Sequence, residues 1–149
     1  VWLDYPSLLG LPGARLRAYQ AETTIAEKFH AMVVLGQANS RMKDFFDIAA
    51  LAMHEHFNGE KLAAAIKATF HRRGTEFPKE TPIALTPEFA NDAVKQQQWA
   101  GFIAGSRLSN VLTLEFAVTS AHGLIAPILE AFLKGSEFHR SWSPGGPWK

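Results

Sequence analysis

The sequence predicts a mainly α fold of five to six helices, and three observations carry that prediction. Apolar residues recur at helical spacing. No run alternates with period two for long, and the breaks between periodic runs hold helix starts and stops. At 149 residues and 47% hydrophobic content, the chain has the size of one domain and enough apolar side chains to bury a core.

Taken in order, residues 1 to 19 hold Pro6, Gly10, Pro12 and Gly13, punctuation that forbids a long helix and leaves a short extended run at Arg15 to Tyr19. The first helix is expected from Thr24, which has capping-box spacing to Glu27, as far as Gly36. Residues 1–23 are therefore a lead-in, and 24–149 form a helical domain. A second helix follows Ser40 and runs through "RMKDFFDIAALAMHEHF" to Asn58 and Gly59. A third starts near Asn58 as "GEKLAAAIKATFHRR", where alanines favour helix, and stops at Gly74. "TEFPKETPIAL" is a loop, after which Thr86 as N-cap with Pro87 at the first helical position opens a fourth helix that ends near Gly105. "TLEFAVTSAHGLIAPILEAFLKG" supplies one or two more, interrupted around Gly123 and Pro127, and the tail "SWSPGGPWK" is irregular.

Charge and composition narrow the function. Fifteen Lys+Arg against fourteen Asp+Glu leave a net charge of +1, so any basic surface is local and no general attraction to nucleic acid or membrane follows. The absence of cysteine removes disulfides and thiolate metal sites. No unbroken apolar run approaches the roughly 20 residues of a membrane span, and the N-terminus has no signal-peptide pattern, so the chain reads as soluble and cytoplasmic. It opens on Val1 in "VWLDYPSLLG", which reads as the middle of a longer chain. A fragment is expected, with an apolar patch on "VWLDYPSLL" and the free side of the first helix.

The stretch "AEKFHAMVVLGQANSRMKDFFD", residues 26 to 47, places ionisable groups on apolar helical faces. At about 100° per residue, Ile25, Phe29 and Met32 define one face of the first helix, and Lys28 falls on its edge between Met32 and Leu35. In the second helix Asp44 lies between Ile48 and Leu51 in projection, and Asp47 shares its side. Unpaired burial of such charges is costly, so Lys28 is expected close to Asp44 or Asp47, or all three line a polar cleft. One reading is a structural ion pair that locks two helices. The other is an active-site wall, where a lysine meets a polyphosphate and an aspartate handles a proton or a metal.

The run Tyr19 to Leu51 resembles the C-terminal half of the AbiEii family of nucleotidyltransferases, the toxin side of type IV toxin–antitoxin and abortive-infection systems. The resemblance rests on "AEK.HA", here Ala26 to Ala31, and "R.KDF.D", here Arg41 to Asp47; "AIKATFHRRGT.FP" and "W.PGGPW" extend it. It implies transfer of a nucleotide from a nucleoside triphosphate to an acceptor such as tRNA. Lys28 would contact the triphosphate, Asp44 or Asp47 would assist the acceptor side or hold the lysine, and Arg41 and Lys43 join them as substrate-binding candidates. The resemblance also implies an N-terminal lobe with a Gly-Ser turn and an Asp-x-Asp pair for Mg²⁺. No Asp-x-Asp occurs in this sequence, and Gly105-Ser106 and Gly135-Ser136 lack the following aspartates. Mg²⁺ and the triphosphate are thus expected only with a missing lobe, and an antitoxin protein is a candidate partner. The alternative is a non-catalytic helical module that binds a protein or RNA.

Other candidates have simpler readings. His54 and His56 stand two apart on a helix and cannot converge on one ion. Arg72 and Arg73 end a helix, where cations complement the dipole, or they meet a nucleic-acid backbone. Trp99 and Phe102 suit a core, and Trp142 and Trp148 flank a rigid "SPGGP" that packs on the body or forms an interface.

Overall fold

In the computed structural model of the chain, residues 14–106 and 112–149 are described, the side chains of 14–20 excepted. Among the described residues six α-helices carry the fold: α1 (Ala14–Leu35), α2 (Met42–His54), α3 (Gly59–Arg72), α4 (Pro87–Ala90), α5 (Ala93–Ala104) and α6 (Leu114–Lys134). Short 3-10 turns at Gly36–Ala38 and Ile83–Leu85 join them, and one small antiparallel sheet pairs β1 (Phe57–Asn58) with β2 (Ser141–Trp142). The mainly α prediction holds.

The packing follows the apolar spacing. Ile25, Phe29 and Met32 lie fully buried on α1 and meet the buried face of α3, with Phe29 and Phe70 ring centroids 5.6 Å apart. Phe45, Ile48 and Leu51 of α2 are buried along α6, where Ala117, Ala121, Leu124 and Ile128 supply the facing side. Phe45 also stacks on Phe89 of α4, with centroids 5.2 Å apart. Each of these aromatic side chains is worth about 3 to 5 kcal/mol against alanine when fully buried.

Four sequence expectations are corrected. The first helix starts at Ala14, so Arg15 to Tyr19 is helical, and Thr24 lies inside the helix without capping it. Glu27, the other half of the expected capping box, turns its carboxylate away from the backbone to Arg72 and Arg73. The second helix stops at His54, and Phe57–Asn58 is extended because it pairs with Ser141–Trp142 of the tail. The expected fourth helix is two: Asp92 accepts from the backbone N–H groups of Val94 and Lys95 at 2.8 and 3.0 Å, and so starts α5 afresh. Conversely, α6 runs unbroken through Pro127. The ring there denies Gly123 its usual helical donor, and beside it the Leu124 carbonyl accepts from the Trp148 indole N–H at 2.9 Å.

Helix α6 is also long and apolar enough to cross a membrane by length and composition, although Glu115, His122 and Glu130 break it into shorter apolar runs. Its buried face belongs to the core of the protein. The tail, expected to be irregular, is stitched on by named bonds: Trp142 Nε1–H and the Gly145 N–H both donate to the Ala52 carbonyl, at 2.8 and 2.9 Å. Trp142 and Trp148 are buried on the body. Gly59 fits because its N–H donates to the Arg140 carbonyl at 2.8 Å, and a Cβ there would sit 2.6 Å from that oxygen. Of the expected apolar patch, "VWLDYPSLL" lies outside the described residues, while Val34 and Leu35 at the end of α1 are exposed.

Candidate active site

Three helix ends make the site. Helix α1 presents Thr24, Glu27, Lys28, Ala31, Val34 and Leu35 at helical spacing; α2 brings its first turn, and α3 brings its last. The turn between α1 and α2 fixes their register. Gly36 adopts φ 54, a left-handed value that glycine takes without strain, and Asn39 Oδ1 accepts from the Arg41 N–H at 2.7 Å. From α5, the buried Lys95 ammonium donates to the Asn39 carbonyl at 2.7 Å and lies 5.1 Å from the Phe89 ring centroid. That turn sets Lys28 opposite the start of α2.

There the ammonium of Lys28 stands 3.0 Å from Asp44 Oδ1 and 3.0 Å from Asp47 Oδ2. Both aspartates are buried, each 4% exposed, and each has a second cation: Arg41 Nε at 2.9 Å from Asp44 Oδ2, and Lys43 Nζ at 2.7 Å from Asp47 Oδ2. Burial works against the charge on Lys28, but Asp47 and Asp44 together outweigh it and hold the ammonium above the ordinary lysine range. Two of its three donors serve the carboxylates, and the side chain also lines an open cleft of about 570 Å³. Lys28 thus meets both aspartates, and the ion-pair cluster lies against an open cleft.

The opposite bank comes from the end of α3. Glu27 binds both arginines there, accepting from Arg73 Nη2 at 2.7 Å and Nε at 3.1 Å, and from Arg72 Nη2. Burial pushes the Glu27 carboxyl up, yet Arg73 and Arg72 prevail and leave it below the usual glutamate range. His30 Nε2 shares a hydrogen with Thr75 Oγ1 at 2.8 Å, and burial and then Arg73 keep its pKa below the usual histidine value. Lys28, Arg41 and Arg73 line the cleft beside a single acid, Glu27, while Asp44 and Asp47 are buried against Lys28, so its walls carry more cations than carboxylates in a chain that is nearly neutral. A family model described as "Nucleotidyl transferase AbiEii toxin, Type IV TA system" matches residues 1–119, a span that includes both motifs and all of these residues. The chain belongs to the AbiEii family. No curated protein and no solved structure matches it.

The AbiEii match ends short of "W.PGGPW", so the likeness noted in the tail is outside the matched span. Within it, every charged residue singled out from the sequence reaches the same neighbourhood. Lys28, Arg41 and Arg73 line the cleft; Asp44 and Asp47 lie beneath it; Lys43 is bonded to Asp47 on the exposed side; Arg72 turns toward the next groove along α3. Asp44 and Asp47 do not fit a Mg²⁺ site, because ammonium and guanidinium groups already stand within 3.0 Å of their oxygens. Among the described residues, no group of three or more His, Asp or Glu side chains is placed to hold a metal. Sequence reasoning missed Glu27 as a clamp, His30 as a cleft residue, and the Lys95–Asn39 bond. Only Glu27 and His30 left a trace, lying inside the "AEK.HA" motif.

Proposed function

We propose that this chain supplies the phosphate-facing wall of a nucleotidyltransferase site. The observation that carries the reading is Lys28, anchored by two buried carboxylates and still open to a cleft rich in cations. Nucleotidyl transfer joins an acceptor hydroxyl oxygen to the α-phosphorus of a nucleoside triphosphate and breaks the bond to pyrophosphate, so negative charge grows on the leaving group. Lys28 stabilises that charge, with Arg41 beside it. Asp44 and Asp47 act as positioning residues that fix the ammonium, and Lys43 holds Asp47 in turn. Arg72 and Arg73 meet the backbone of an RNA acceptor such as tRNA. An antitoxin protein is the partner that the family context suggests, in a cytoplasmic setting.

The metal-binding carboxylates of such a site belong to a lobe outside this sequence, which contains no Asp-x-Asp. The chain alone is therefore inactive in transfer. Incubation with labelled nucleoside triphosphates, Mg²⁺ and total tRNA yields no labelled RNA under this reading, and robust labelling overturns it. The missing Asp-x-Asp equally favours a second reading, a non-catalytic helical module. If the coding sequence upstream of Val1 continues in frame into a Gly-Ser and Asp-x-Asp segment, the enzyme reading stands; a start codon immediately before it supports the module.

A further inference from the structure

A second groove, of about 1030 Å³, runs along α3 and shares Thr23 of α1 with the Lys28 cleft. Its floor is Ala64, Ala65 and Ala68 of α3, and its cations are Lys61 at one end and Arg72 at the other. Arg72 lines this groove and Arg73 lines the cleft, so the two arginines stand where one passes into the other. Between them sits the carboxylate of Glu27, bonded to both guanidiniums. Both arginine side chains are more than half exposed, at 58% and 51%, and Glu27 is 31% exposed, so the clamp is open to solvent.

We propose that the Arg72–Arg73 pair is a phosphodiester site on the path of a single-stranded polynucleotide, and that Glu27 is its displaceable stand-in while no strand is bound. The site rests on the proposed transferase reading and adds to it a path for the acceptor. Three points carry it. A carboxylate shared by two guanidiniums marks a place built for a planar or tetrahedral oxyanion, which a phosphate fills with more acceptors than a carboxylate offers. Lys61 and Arg72 lie roughly 16 Å apart along α3 at its rise per residue, so a ligand that meets both, and Arg73 beyond them, is an extended polyanion longer than one triphosphate. Of the charged side chains that line the groove, Lys61 and Arg72 outnumber the one acid, Glu22.

The test is binding of a fluorescent single-stranded RNA 12-mer to the chain, read by anisotropy across a salt series with no nucleotide present, beside calorimetric titration with tripolyphosphate. Glu27→Gln frees the arginines and tightens RNA binding about threefold to tenfold, the range of an exposed double ion pair, and leaves tripolyphosphate binding within about twofold. Arg72→Gln and Arg73→Gln each weaken RNA binding and lower the salt slope by about 0.7. Glu27→Asp, which keeps the charge, behaves as the parent and shows that the fold is intact. If Glu27→Gln weakens RNA binding or leaves it unchanged, Glu27 is no stand-in and the proposal falls. It falls also if the variant tightens tripolyphosphate instead of RNA, which assigns the arginines to the triphosphate. Loss of tripolyphosphate binding in Lys28→Ala, by contrast, reports only on the transferase reading.

Discussion

Two lysines enter the interior of this protein, and their surroundings differ. Lys95, 4% exposed, gives its ammonium to the backbone carbonyl of Asn39 and lies over the face of Phe89. Its role is local: it pins the turn before α2. Lys28 meets two buried carboxylates that carry cations of their own, and it lines a cleft that the other lysine does not. A cation placed for structure is satisfied by what the fold offers nearby. A cation placed for a ligand is anchored by carboxylates on one side and lines an open cleft on the other.

The contrast can be broken most severely at Lys28. Lys28→Met strips a cation from two buried aspartates, but Arg41 and Lys43 remain, so the stability loss should be about 1 to 3 kcal/mol, short of the full cost of an orphaned buried charge. Urea denaturation measures it, and calorimetry should show tripolyphosphate affinity falling at least about tenfold. Lys95→Met is the matched control. An apolar isostere fills the same space and loses a single hydrogen bond to a carbonyl, so stability should stay within about 1 kcal/mol of the parent and tripolyphosphate binding should not change. Equal effects of the two substitutions on the ligand would erase the distinction.

Smaller effects appear in the pH dependence. The folded pKa of Lys28 is raised, so its contribution is fully present below the unfolded value and is lost as pH rises through the folded value, above 10.5. Glu27 has the opposite sense: its folded pKa is lowered, so its contribution is present above the unfolded value and disappears as pH falls through the folded value, below 4.5. Thermal melts should therefore show Glu27→Gln losing stability relative to the parent near neutral pH and converging with it in acid. The weakest case is His139, fully exposed between Glu137 and Glu60, whose pKa is raised by Glu137 first and then Glu60. Its small contribution is present below the unfolded value and lost as pH rises through the folded value, above 6.5. His139→Asn should flatten that step in the melting profile without altering ligand binding.

Much of this arrangement was legible in the sequence, and the parts that were not share a cause. Local chemistry read well: α3 does start beside Asn58, which accepts from the Lys61 N–H at 3.0 Å, and Thr86 with Pro87 does open α4. The meeting of Lys28 with the second motif was readable because both lie on helices joined by a short turn, and burial of unpaired charge is too costly to leave them apart. Thr24 and Glu27 misled because a capping box looks the same whether its glutamate bonds the backbone or reaches arginines 45 and 46 residues away. Asp92 was hidden inside a run whose apolar spacing continued across it. Pro127 reads as a break because a proline inside a helix costs a backbone hydrogen bond, and the packing of α6 in the core that keeps it continuous is not visible in the local sequence. Contacts across such separations leave no period in the sequence, and the convergence of Arg73 on the Lys28 cleft is of that kind.

The central claim is that Lys28 is anchored for a phosphate ligand and is more than a helix-locking partner. A double-mutant cycle of Lys28→Met with Asp44→Leu tests it most directly, with unfolding free energy and tripolyphosphate affinity measured on the same four proteins. Anchoring for a phosphate gives modest coupling in stability, about 1 to 2 kcal/mol, because Asp47 and Arg41 remain to share the load. The double variant then regains stability without regaining ligand binding. Coupling of about 3 to 5 kcal/mol, with tripolyphosphate bound equally well by all four proteins, would show that the cluster is a structural ion pair and nothing more.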